Sequence, residues 1–307
     1  MRRRNRGRKR ADGREKRREK ERRMTRFYTP AHLDEALDIL ESEGGKARVL
    51  AGGTDLCVQM RAGFKEPDVL VAITEIQELR GMEERNGEIR LGALTTHGEI
   101  TNSELLSRTA RPLVEAAAMV GSVQIRNVGT LGGNIANASP AGDTLPVLYI
   151  LDAFLVIRKK GAERQVSVDD FITGPGETIL DPGEIITEVR FAPLSPGENG
   201  CYDKIGRRKA LSVAVVSVAL RYRLTDDGRG FRFLRIAYGS VAPTIVRAKE
   251  AEALLLRSPL GPEDLEEGVS AAAAITSPID DLRATARYRK LMAGRLLRAR
   301  LLQILSP

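Results

Sequence analysis

Two short stretches of the sequence hold small residues, hydroxyls and amides in the spacing that a bound anion needs. "TLGGNIANASPAGD", residues 130–143, sets Gly132 and Gly133 among Thr130, Leu131 and Asn134 and ends on Asp143. "AGGTDL", residues 51–56, repeats the pattern with Ala51, Gly52, Gly53, Thr54, Asp55 and Leu56. Glycine has no Cβ, so its backbone takes φ > 0 and lets a ligand approach the peptide N–H groups. Consecutive N–H groups of that kind form a concave anion site, and phosphate oxygens, which need several donors at short range, suit it. A pyrophosphate has two phosphates, so two loops can share it. A Gly-Gly pair by itself is more often the mark of a plain turn or bulge, and the anion reading gains weight from the second loop of the same type.

The common nucleotide patterns are absent: there is no G-x-x-x-x-G-K-[ST], and no G-x-G-x-x-G opening a helix with an acidic residue about 20 positions on. A dinucleotide must therefore bind outside a Rossmann frame. Asp143, ionised beside a glycine loop, is a good acceptor for a sugar hydroxyl and would repel a phosphate; a turn or helix-cap role is the plainer alternative, since residues 144–151 suit a helix start. His97 invites reading as a base, but one histidine with no placed acid is more often structural.

The elements that must position these residues follow from periodicity. Thr29 and Pro30 open a helix with Leu33, Ala36, Leu37 and Leu40 at helical spacing up to Gly44 and Gly45. Residues 48–51 and 68–73 are apolar strands, so the first glycine loop lies at a strand end of a small α/β unit, where ligands gather. Residues 88–95 alternate as a strand, amphipathic helical stretches follow at 100–106 and 112–120, and 153–168 form a hairpin turning at Lys160 and Gly161. Residues 184–191 add a strand, and "APLSPGENG" at 192–200 is the best domain boundary. Beyond it, strands of an antiparallel sheet turn at Asp227 and Gly228, and helical periodicity takes over after Val246.

The chain of 307 residues is long enough for two domains, and its net charge of +8 suggests nucleic acid until it is located. Residues 1–23 hold 14 of the 49 Lys and Arg and 4 of the 41 Asp and Glu; the other 284 residues carry 35 basic and 37 acidic side chains. The body is near neutral, and the nearly apolar-free extension 1–23, expected to be disordered, makes the protein basic. That extension reads either as a nucleic-acid arm or as a segment without a role ahead of a start at Met24. It lacks interleaved aromatics, which argues against nucleic acid as a partner. No run reaches the roughly 18 apolar residues of a membrane span, and two cysteines, Cys57 and Cys201, fit a reducing cytoplasm.

Taken together, "RVLAGGTDL", "IRNVGTLGGNIANASPAGD" and "YDKIGRRKALSVAVVSVA" resemble the FAD-binding medium subunit of molybdenum hydroxylases, the group of bacterial xanthine dehydrogenases and carbon monoxide dehydrogenases, over roughly residues 24–305. The resemblance implies an α+β chain: a two-subdomain FAD-binding domain of the vanillyl-alcohol oxidase type over 24–196, then a smaller α+β domain with an antiparallel sheet and helices over 199–307. It implies FAD as cofactor, held by backbone amides of Leu50–Leu56 and Thr130–Asn134. Asp143 then binds ribityl or nearby sugar hydroxyls, Ile186 packs near the isoalloxazine, and Lys204 lies at the flavin pocket, although a snorkelling surface lysine is the plainer reading of a Lys in a strand. No catalytic or metal-binding side chain is implied. The implied partners are a large molybdopterin-binding subunit and a small iron–sulfur [2Fe–2S] subunit in a dimer of heterotrimers, with electrons leaving for NAD, quinone or oxygen. Some relatives carry an inserted four-cysteine cluster, for which two cysteines are too few. A self-contained flavin oxidase is the alternative within the same chemistry.

Overall fold

Residues 25–208, 211–257 and 259–306 are described by the computed structural model, and the basic extension 1–23 lies outside them. The chain opens with β1 (Arg26–Tyr28) and α1 (Leu33–Glu43), whose Leu33, Ala36, Leu37 and Leu40 are buried on one face. The helix starts later than Thr29 and Pro30 suggest. The Glu35 carboxylate takes the N–H of Ala31 at 3.0 Å, and His32 occupies the cap position, so Pro30 precedes a bend rather than the first turn. β2 (Ala47–Leu50), α2 (Leu56–Arg61) and β3 (Val69–Ala72) complete a parallel sheet in the order β1-β3-β2. The central β3 is buried along its whole length, which explains its continuous apolar sequence. The first glycine loop thus leaves the carboxyl end of β2.

A second unit starts with β4 (Met82–Arg85) and β5 (Glu88–Gly92). Short helices follow: α3 (His97–Thr101), α4 (Glu104–Thr109), α5 (Arg111–Ala118), α6 (Val123–Val128), α7 (Leu131–Asn137) and α8 (Leu145–Ile150). Then come β6 (Phe154–Lys159), β7 (Ala162–Ser167), α9 (Val168–Phe171), β8 (Ile172–Gly174), β9 (Glu177–Thr178) and β10 (Ile185–Phe191). The sheet is antiparallel in the order β4-β5-β10-β6-β7. Alternation sends Ile89, Leu91, Leu155, Ile157, Val189 and Phe191 into the core beneath the helices and turns Arg90, Arg158 and Arg190 to the opposite face.

The last unit is the antiparallel sheet of β11 (Asn199–Ile205), β12 (Val216–Leu224), β13 (Phe231–Gly239) and β14 (Val246–Arg247). It is followed by α10 (Lys249–Leu255), α11 (Pro262–Ala274) and α12 (Ala286–Leu305). Val218, Leu220, Leu234 and Ile236 pack on Leu255, Val269 and Leu297 of these helices. The alternate residues Tyr202, Ala219 and Ala237 belong to the core of the second unit. The sheet is therefore covered on both faces, which locks the C-terminal unit onto α8. The fold is α+β, as the sequence predicts.

Candidate functional site

The first glycine loop, Ala51 to Asp55, connects β2 to α2. Gly53 has φ +68, a conformation that costs a residue with a Cβ. Gly52 is needed for a different reason: a Cβ there would lie 1.7 Å from the carbonyl oxygen of Val128. Among the described residues, no hydrogen-bond acceptor takes the N–H groups of Gly52, Gly53, Thr54, Asp55 or Leu56. Five successive donors follow the carboxyl end of β2, the arrangement that a concave anion site requires.

The second motif behaves differently. The expected loop is the first turn of α7, and neither Gly132 nor Gly133 has positive φ. Its amides are already used: Leu131 N–H donates to Thr95 O at 2.8 Å, Gly132 N–H to Ala93 O at 2.9 Å, Gly133 N–H to the Thr130 hydroxyl at 3.1 Å and Asn134 N–H to Thr130 O at 2.9 Å. The expectation that this motif offers bare N–H groups is corrected, because Thr130 caps the helix and the strand end before it supplies the remaining acceptors. Gly132 instead permits close packing, since a Cβ there would lie 2.7 Å from the Ala93 Cβ.

The two motifs do meet in space. Val128, against which Gly52 packs, ends α6 immediately before Gly129 and Thr130, and a Cβ on Gly129 would lie 3.5 Å from the Thr54 hydroxyl. The Asn134 amide is fixed, because its Oδ1 accepts from the Thr144 hydroxyl at 2.7 Å. Asn137 accepts from Gln59 of α2 at 3.2 Å and ties α7 to the helix that follows the first loop.

Asp143 and Lys204 form a buried pair, both side chains 9 % exposed, with Lys204 Nζ donating to Asp143 Oδ2 at 2.8 Å and to Met119 O at 2.9 Å. The snorkelling reading of Lys204 is thereby overturned. Tyr202 donates its hydroxyl to the other carboxylate oxygen of Asp143 at 2.7 Å. Burial raises the Asp143 pKa, against which the Lys204 charge and the two hydrogen bonds work. A carboxylate has about four acceptor positions, so the two already used leave room for a hydroxyl. Tyr202 opens the third motif but was given no role there. The signal that could have found it is its place two residues before Lys204 in one strand, hence on the same face. Ile186 is buried in β10, and its neighbour Thr187 accepts the N–H of Ala93 at 3.0 Å. That contact seats the strand end that holds α7.

His97 is 2 % exposed, at the start of α3 behind a capping box of Thr96 and Glu99. Burial, and then the Arg126 charge, bring its pKa down from 6.5 to about 4, so the ring is neutral. Its Nδ1 has no partner. No group of three or more His, Cys, Asp or Glu side chains converges to hold a metal ion among the described residues, and none of their helices is long and apolar enough to cross a membrane.

Unpaired amides at a strand end, backed by a second glycine motif, are the kind of arrangement that a phosphate-bearing cofactor requires. The family described as the FAD binding domain in molybdopterin dehydrogenase matches residues 22–194, and the CO dehydrogenase flavoprotein C-terminal domain matches residues 201–304. The chain is 32% identical over 272 residues to the carbon monoxide dehydrogenase medium chain of Hydrogenophaga pseudoflava, covering 89% of this chain and 94% of that one. It is 32% identical over 265 residues to the xanthine dehydrogenase FAD-binding subunit of Escherichia coli O157:H7, covering 86% and 90%. In structure it is similar to the carbon monoxide dehydrogenase of Hydrogenophaga pseudoflava that lacks the Mo-pyranopterin moiety, with a TM-score of 0.86 at 32% identity over 90% of this chain and 95% of that one. It is also similar to quinoline 2-oxidoreductase from Pseudomonas putida 86, with a TM-score of 0.86 at 25% identity over 92% and 97%. The chain belongs to the FAD-binding medium subunits of the molybdenum hydroxylases, which are oxidoreductases.

Proposed function

We propose that this chain is the electron-transfer subunit of a cytoplasmic three-subunit molybdenum hydroxylase, standing between a small subunit with [2Fe–2S] centres and a terminal acceptor, NAD, quinone or oxygen. A large molybdopterin-binding subunit then hydroxylates the substrate, and the assembly is a dimer of heterotrimers. FAD, when bound, supplies the redox chemistry that links one-electron donors to the acceptor. We further assign 24–196 to FAD binding and 199–307 to the C-terminal domain, a division supported by the separate core that the last unit builds with its own helices.

The observation that carries the reading is the run of unpaired N–H groups from Gly52 to Leu56. These donate to the pyrophosphate oxygens, and Gly52 and Gly53 keep the backbone bare for them. Leu50 and Ala51 bring the strand to the cradle. Thr130, Leu131, Gly132, Gly133 and Asn134 support it from the second motif, chiefly by packing and through the Asn134 side chain. Asp143 accepts a sugar or ribityl hydroxyl while Lys204 and Tyr202 hold its carboxylate in place, and Ile186 contributes an apolar wall. No side chain of this chain is assigned a proton transfer.

Gel filtration of the purified chain after incubation with FAD, read by absorbance, tests the proposal. One non-covalently held FAD per chain, released by acid precipitation, is expected. A colourless protein that ignores FAD but binds ATP or RNA overturns it, and a chain that oxidises a substrate unaided favours a self-contained oxidase. Co-purification of the native complex with its metals tests the partners.

A further inference from the structure

His97 is joined to the cradle through Gly129. Its peptide N–H donates to Gly129 O at 3.0 Å, and its ring Cδ2 is 3.3 Å from the point that a Cβ on Gly129 would occupy. The Thr54 hydroxyl reaches to 3.5 Å of the same point from the first loop. Gly129 is thus the slot at which the imidazole and the first loop converge, one residue from the Val128 carbonyl on which Gly52 rests. The charged groups around the ring are few. Arg126 faces it from α6, with its guanidinium bound to Val120 O at 3.0 Å and Gly121 O at 3.2 Å. Glu99 on its own helix is turned toward the N–H of Thr96 at 2.7 Å. Asn127, beside Gly98, is neutral, and Asp55 lies one residue past Thr54 in the first loop.

We propose that His97 is a positioning residue of the cradle: a neutral imidazole that props Gly129, and through Val128 the first glycine loop, so that protonation slackens the loops and releases FAD. The proposal rests on the FAD reading above. A proton on the ring would put a charge into a site 2 % exposed, beside Arg126 and with no acceptor at Nδ1. The seated ring is therefore the neutral ring.

The sign follows from linkage. Above about pH 6.5 the ring is neutral whether seated or displaced, and seating does not depend on pH. Between that value and about 4, where the seated ring is held, only the displaced ring takes a proton. Seating then weakens by up to about tenfold for each pH unit of fall. Below about 4 the dependence ends.

The test uses the full chain and two readouts. FAD affinity is measured by ultrafiltration from about pH 8 down to about pH 5, and amide hydrogen exchange of residues 128–134 is followed over the same range in flavin-free protein, corrected for the intrinsic rate. In the wild type, affinity is expected to fall by about tenfold or more over the acid part of the range, with faster exchange in that segment, while His97→Gln and His97→Asn are flat in both. A His97→Gln protein with the wild-type pH profile overturns the proposal. Pairing two variants covers the case in which one folds poorly, and wild-type exchange that shows no acceleration in acid overturns the proposal without any variant. Failure of the wild type to bind FAD at every pH would instead refute the cofactor reading, and the exchange experiment would still decide the role of His97.

Discussion

A Cβ on Gly52 would fall 1.7 Å from the Val128 carbonyl oxygen, well inside bonding range of an atom it cannot bond, whereas a Cβ on Gly133 would meet only the Thr130 hydroxyl at 2.8 Å. The two glycine pairs are therefore unequal. Gly52→Ala is expected to push the first loop off α6, costing about 1–3 kcal/mol of stability as overpacking does, and to abolish measurable FAD retention. Gly53→Ala pays a strained φ of about 1 kcal/mol and meets the Cys57 sulfur at 2.9 Å, so it should lose affinity with less unfolding. Gly133→Ala should retain both. Thermal melts with and without FAD distinguish these outcomes, and a Gly52→Ala protein that keeps its flavin would remove the cradle assignment.

The sequence made the two motifs visible because glycine pairs next to hydroxyls are conspicuous, and it made the strands visible because β3 and the alternating β5 and β10 have clear periods. What it hid is how each pair is used. Whether an N–H is bare depends in part on residues far along the chain: Ala93 and Thr95 take those of Gly132 and Leu131, Thr130 takes the next two, and nothing described takes those of the first loop. The Asp143–Lys204–Tyr202 cluster was half legible. The carboxylate and the lysine stood in motifs, but their pairing joins residues 61 apart in sequence and appears only when the last sheet closes on α8. The helix α6 was missed because none of its residues is buried, so no apolar face with helical period marks it.

The two cysteines should respond oppositely to alkylation. Cys57 is exposed at the start of α2, beside Gly53, whereas burial pushes the Cys201 thiol up to about 12. Thiolate is the reactive species, so near-neutral maleimide should place one label, at Cys57, by peptide mass mapping. If FAD lies on the first loop, added FAD should slow that labelling by about tenfold when present at about ten times its Kd. Equal rates with and without FAD would place the cofactor elsewhere.

Acid should loosen the C-terminal unit through Asp281. Burial opposes its ionisation, but the N–H groups of Arg283 and Ala284 and the guanidiniums of Arg289 and Arg283 outweigh that and hold its carboxyl far below the usual range. A depressed carboxylate pKa contributes stability that is complete above the unfolded value near 4 and is lost as pH falls below it. Arg289 itself is buried and also donates to Val215 O at 2.7 Å and Ser240 O at 3.1 Å. Urea melts from about pH 6 to about pH 3 should show a steeper loss in the wild type than in Asp281→Asn. Parallel curves would remove Asp281 from the account of acid stability.

The Asp143–Lys204 pair should prove coupled rather than additive. Removing one member of a buried ion pair strands the other charge, at a cost of about 3–5 kcal/mol, whereas removing both with apolar replacements is often far cheaper. Lys204→Met leaves Asp143 with only the Tyr202 hydroxyl, and Asp143→Asn leaves the Lys204 ammonium with neutral acceptors alone, the Met119 carbonyl and the new amide oxygen. The double variant should therefore be more stable than the sum of the singles predicts, with an interaction energy of at least about 1 kcal/mol in a double-mutant cycle. FAD affinity should not follow the same pattern. If Asp143 accepts a hydroxyl of the cofactor, both Asp143 variants weaken binding by about tenfold, one hydrogen bond to a charged group, whatever stands at residue 204. Lys204→Met alone should weaken binding less, because Tyr202 still holds the carboxylate in place. Urea melts and FAD titration of the four proteins separate the two roles: stability restored in the double variant with affinity still lost assigns Asp143 to the cofactor, and affinity restored along with stability makes the pair a purely structural tie between the last sheet and α8.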